Sequence, residues 1–123
     1  RERADKVAVA KHFSLPPDEF ISWLHTINYV RNICAHHARL WNREIKIVPS
    51  VLRFSRDKVW ISDPAQAKRS KIYYTLCMIN YLLQSVNPNS SFSERLKQLI
   101  SEYSPKISAM GFPENWKSEE IWK

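Results

Sequence analysis

One glycine in 123 residues leaves the chain without a glycine-rich phosphate loop, and no internal repeat or low-complexity tract takes its place. Its two cysteines, Cys34 and Cys77, stand in no CxxC spacing and no disulfide framework, a usage that fits a reducing, intracellular compartment. Long hydrophobic runs are missing too. The longest, Ile72 to Leu83, is interrupted by Thr75 and Asn80 and is too short for a hydrocarbon core of roughly 30 Å. There is no secretory signal and no initiating Met; the chain opens RERADK, as though inside a charged helix, and reads as the C-terminal part of a longer protein. Acidic residues are scarce: 12 Asp+Glu stand against 19 Lys+Arg, for a net charge of +7. That balance favours an anionic partner, nucleic acid or a membrane surface, although solubility alone accounts for it equally well.

What is present is enough apolar material, 44% of the residues, for one domain over residues 1–123 with a core of its own. Arg3 to Phe13 reads as a short helix, closed by Leu15-Pro16-Pro17. Pro17 opens a long helix with Asp18 and Glu19 in its first turn. Phe20, Trp23, Leu24, Ile27, Val30, Cys34, Ala38 and Trp41 recur at three- and four-residue steps and predict one buried face. Glu44 to Asp63 reads as a long loop, with a short hairpin around Val51 to Ile61. Its Arg53, Arg56 and Lys58, interleaved with Phe54 and Trp60, suit a nucleic acid as well as a solvated surface. Asp63-Pro64 predicts a third helix running to Val86, and Ser91-Phe92-Ser93-Glu94 a capping box for a fourth. A Trp-rich tail, Ile107 to Trp122, should strap itself over the core. The expected fold is an all-α bundle of four to five helices with one long loop and a packed C-terminal tail.

The long helix carries unusual chemistry in the stretch YVRNICAHHARLWNR, residues 29–43, around which the bundle is expected to be built. Positions four and seven apart share a helix face, so Asn28, Asn32, His36, Arg39 and Arg43 line one polar stripe, extended by His25. Arg31 stands at its edge, and its long side chain can join Asn32 and His36 on one ligand. A guanidinium can grip a phosphate and neutralise charge developing on it. An imidazole titrating near neutrality can pass the proton. RNA supplies its own 2′-hydroxyl nucleophile, so no cofactor or metal is called for. On chemistry alone, a polar helix face satisfied within the bundle stands ahead of catalysis. Zinc held by Cys34, His36 and His37 is disfavoured by their divergent directions on a helix. Cys34 as a nucleophile is disfavoured by its place on the apolar stripe. His12, His25 and His37 read as surface or core-edge residues.

Arg31-Asn32-Ile33-Cys34-Ala35-His36 resembles the Arg-polar-x(3)-His motif of HEPN ribonucleases. More specifically, SWLHTINYVRNICAHHARLWNR is similar to the signature of Abi-like abortive infection proteins of bacteria. The similarity continues through IYYTLCMINYLL, NPNSSFSERLKQLI and MGFPENW, from about Lys11 to Trp122. The resemblance implies a HEPN-like helical bundle and a metal-independent endoribonuclease acting in anti-phage defence in the bacterial cytoplasm. Two copies would pair so that their motifs form one composite site. Arg31 and His36 would be catalytic with Asn32 in support, and Asn28, His37, Arg39 and Arg43 would contact RNA. The implied partners are RNA, a second copy, and a regulatory RNA or antitoxin; no membrane is implied. A non-catalytic RNA-binding or interaction module of a defence system is the alternative.

Overall fold

The computed structural model describes residues 2–35, 46, 48–53, 55, 58–62, 64, 67–103 and 110–122. Among them are four α-helices and no strand: α1 (Glu2–His12), α2 (Pro17–Ala35), α3 (Ile72–Val86) and α4 (Phe92–Tyr103). Two 3-10 turns, Trp116–Ser118 and Glu120–Trp122, follow. The chain is all-α, as the apolar periodicity predicts. No hairpin forms among the described residues of 51–61; Leu52, Trp60 and Ile61 are buried instead as side chains of a loop.

α1 ends in a pair of reversed hydrogen bonds. Leu15 N donates to Ala10 O and Ser14 N to Lys11 O, both at 3.0 Å, while Ser14 adopts φ 57°. This is the left-handed helix stop usually made with glycine, and it tucks Ala10 and Leu15 together into the core. Pro16 and Pro17 then start α2, with Asp18 and Glu19 in its first turn where carboxylates favour the dipole. α2 buries Phe20, Trp23, Thr26 and Val30. Leu24, expected on that face, is 46% exposed: one step past Trp23 turns it about 100° away from the core.

The helix at the centre is α3, not α2. Ile72, Tyr73, Tyr74, Thr75, Cys77, Met78, Asn80 and Tyr81 are all buried, so α3 is covered on most sides; Leu76, Ile79 and Leu83 are half-buried and Val86 is exposed. One flank meets α2 and the loop: Trp60 packs at 5.1 Å from Trp23 and edge-on to Tyr74 and Tyr81, at 5.7 and 5.3 Å between ring centroids. The other flank meets the tail: Tyr73 lies 4.4 Å from Phe112, and Trp122 packs against Tyr73, Phe92 and Trp116. The tail therefore straps the core as its tryptophans predict, with Trp116 and Trp122 both buried. Trp60 is core as well, so it does not share a surface with the basic residues of that loop. Arg56 and Phe54 lie outside the described residues.

α3 also begins later than Asp63-Pro64 predicts. Pro64 stands in a 3-10 turn in which Ala67 N donates to Pro64 O, and the α-helix starts only at Ile72. Between them the sequence offers no apolar face larger than alanine, and a helix without one gains little from packing. Lys71, the residue before α3, makes no side-chain cap. Met110 O accepts the Tyr73 N–H instead, at 3.0 Å, so a carbonyl from the tail satisfies a donor of the first turn. At α4 the serine hydroxyl that receives a first-turn N–H is Ser90's, 3.1 Å from Phe92 N, rather than Ser91's.

Candidate functional site

α2 and α3 run antiparallel, because Trp23 meets Tyr81, 5.4 Å between centroids, while Val30 packs on Ile72. The C-terminal half of α2 thereby lies beside the start of α3. Loop residues 48–50 are fixed along α2 as well: Ser50 N donates to Ser22 Oγ at 2.9 Å and Trp23 Nε1 to Ser50 O at 3.1 Å. With one side of α2 in the core, its remaining polar residues are pushed to solvent. His25, Asn28, Arg31 and Asn32 are all exposed.

Within that face the Arg31 guanidinium donates from Nη2 to Asn28 Oδ1 at 3.4 Å, a long bond one turn back along the helix. The structure thus brings Arg31 onto the polar stripe, as its reach allows, and leaves it accessible to a ligand. His36, His37, Arg39 and Arg43 lie outside the described residues, as do the side chain of Cys34 and the residues Ala38 and Trp41. His12 and His25 are exposed, consistent with surface roles.

Cys77 is buried and free. Burial pushes its thiol up to about 12, so it is protonated and inert at neutral pH. Burial likewise raises the Tyr74 phenol to about 12, and lifts Tyr73 far above its ordinary range with Cys77 adding to the effect. None of the three is a candidate nucleophile. Among the described residues, no group of three or more His, Cys, Asp or Glu is placed to hold a metal ion. No helix among them is long and apolar enough to cross a membrane.

A cleft of about 410 Å³ lies on the tail side of α3, away from α2, lined in part by Ser62, Lys68, Tyr73, Phe112 and Glu119. Ser62 closes one wall, its N–H and Oγ donating to the two Glu119 carboxylate oxygens at 3.0 and 2.9 Å. Sequence reasoning missed this feature, since Ser62 and Glu119 sit in different segments and no spacing relates them.

The polar face of α2 falls within the one part of the chain that a family model matches. Residues 1–42 match the family model of Abi-like proteins. The Abi-like span takes in α1, α2 and the sequence from Arg31 to His36, and stops one residue before Arg43. The similarity read in IYYTLCMINYLL, NPNSSFSERLKQLI and MGFPENW lies beyond it. Neither the curated proteins nor the solved structures give a match.

Proposed function

We propose that this protein is a metal-independent endoribonuclease of bacterial abortive infection, working in the cytoplasm on RNA. The observation that carries the proposal is the exposed Arg31 on α2, drawn to Asn28 at 3.4 Å within the span that matches Abi-like proteins. Five residues later comes His36, which gives the Arg-polar-x(3)-His spacing of HEPN ribonucleases. In the reaction the 2′-hydroxyl oxygen attacks the adjacent phosphorus and the bond to the 5′ oxygen breaks. The products are a 2′,3′-cyclic phosphate and a 5′-hydroxyl. His36 moves the proton, Arg31 neutralises the charge gathering on the phosphoryl oxygens, and Asn32 orients one of these partners. Asn28, His37, Arg39 and Arg43 hold the flanking RNA. A second copy completes a composite site, and a regulatory RNA or antitoxin restrains it.

Cleavage of RNA in EDTA by the wild type, Arg31→Ala and His36→Ala tests this. Each substitution is expected to lower the rate by about a hundredfold or more. Unchanged cleavage in both variants would sink the assignment. The exposure of the whole stripe also suits a second reading, an RNA-binding module that grips phosphates without cutting. Binding would then weaken with salt while no cyclic phosphate forms.

A further inference from the structure

Asn80 places a carboxamide in the core, at 9% exposure, where α3 meets α4 and the tail. Its nitrogen is fully used: Nδ2 donates to Ser93 Oγ at 3.2 Å and to the Ile121 carbonyl at 2.6 Å, which joins α3 to α4 and to the last 3-10 turn. Its oxygen is not. No described residue donates to Asn80 Oδ1, although a carboxamide oxygen offers two lone pairs and burying it without a partner costs free energy. Among the described residues, the polar side-chain atoms sealed from solvent without a partner are Tyr74 OH and Thr75 Oγ1. Asn80 Oδ1 is not one of them, so it reaches open space.

That space is a second cleft, of about 280 Å³, between the C-terminal half of α3, the start of α4 and the tail, with Asn80, Leu83 and Ile121 in its lining. Its uncharged polar neighbours are largely occupied. Gln84 serves the backbone of Val59, accepting its N–H at 2.9 Å and donating to its carbonyl at 2.7 Å, and Ser90 Oγ accepts the Phe92 N–H. The charged residues of the lining are Glu94, Glu120 and Lys97, and both glutamates are exposed. Two carboxylates against one ammonium leave the cleft one negative charge, on a chain whose net charge is +7.

We propose that this cleft binds an alkyl-guanidinium, the group carried by an arginine side chain and by free arginine derivatives. Asn80 Oδ1 needs an N–H donor and the two carboxylates need a cation. A guanidinium supplies both from one rigid plane, with five N–H donors in a fork. Its methylene stem lies along Leu83 and Ile121, as long cationic side chains do on apolar surface. An ammonium is a compact, strongly hydrated point charge with its donors on one atom, so it serves the glutamates at the rim and the recessed Asn80 oxygen less well at the same time. The site lies on the tail side of α3 and does not depend on what the α2 face binds.

The test is an NMR titration of isotope-labelled protein with N-acetylarginine amide, agmatine, N-acetyllysine amide and N-acetylcitrulline amide, read at the side-chain amide of Asn80 and the backbone amides of Glu94 and Glu120. N-acetylarginine amide is expected to shift these signals saturably, with a Kd on the order of 1 mM for a ligand of that size. The citrulline compound keeps the shape without the charge and should bind about tenfold or more weakly, as should the lysine compound. Glu94→Gln/Glu120→Gln leaves the buried side chains untouched and should weaken the arginine compound about tenfold. Glu102→Gln/Glu114→Gln alters two exposed glutamates outside the cleft and should leave Kd unchanged. Tighter binding of agmatine supports a free small molecule as the source of the group, and tighter binding of N-acetylarginine amide supports an arginine of a polypeptide. No saturable shift with either guanidinium compound, citrulline or lysine compounds bound as well as arginine, or no greater loss in the Glu94/Glu120 pair than in the Glu102/Glu114 pair overturns the proposal.

Discussion

At the scale of single residues, Gly111 bears more than its absence of a side chain suggests. It adopts φ 90°, in the region that side chains disfavour, and its closeness to Lys71 lets Met110 reach Tyr73 N. Gly111→Ala meets both obstacles: a left-handed conformation costing about 1–2 kcal/mol and an overpacked contact costing about 1–3 kcal/mol. Urea unfolding is expected to show a loss of at least about 2 kcal/mol; a midpoint equal to wild type would mean that the tail does not hold α3 in this way. The sequence shows one glycine beside Phe112 and Pro113, which marks a turn, yet nothing local marks Lys71 as its neighbour. Arg31 was more legible. Its spacing from Asn28 is a helix property, and the structure needed only to leave that face uncovered.

At the scale of elements, apolar periodicity located α2 and α4 and the end of α3, because burying one face is what makes a helix of that length stable. It says less where a helix is buried on most of its sides. α3 buries Thr75 and Asn80 along with its tyrosines, so no apolar stripe marks it as the central element. The start of α3 was misplaced for a related reason: Asp63-Pro64 has the composition of a helix start, but the donor that matters is satisfied by Met110 from the tail. The tail's grip should be measurable at Trp122, whose Nε1 donates to Tyr73 OH at 3.1 Å and whose ring is fully buried. Trp122→Ala is expected to cost about 3–5 kcal/mol, seen as a lower urea midpoint. A loss under about 1 kcal/mol would show the tail to be a loose cover.

At the scale of the whole molecule, the core holds titratable groups, Tyr73, Tyr74 and Cys77 among them. Cys77 and Tyr74 are both held near 12 against ordinary values of 9.0 and 10.0, and Tyr73 is raised further. Below pH 9 folded and unfolded chains both keep these protons, so folding is indifferent to pH through them. Above it the unfolded chain releases protons that the folded chain retains, so stability falls as pH rises, by up to about 1.4 kcal/mol per pH unit for each group engaged. The urea midpoint is therefore expected to drop between pH 9 and 10.5, less steeply in Cys77→Ala. A midpoint constant over that range would contradict the burial of these groups.

The hydrogen bond from Tyr73 to Met110 joins the start of α3 to a segment made much later in synthesis. Closing so long an intervening stretch is slow relative to forming a helix turn. On the ribosome, α1 and α2 emerge well before Met110, and the opening turn of α3 waits for that residue. A nascent chain therefore carries Arg31 before the start of α3 beside it is fixed, and that end of the bundle is assembled only once the segment around Met110 has been made.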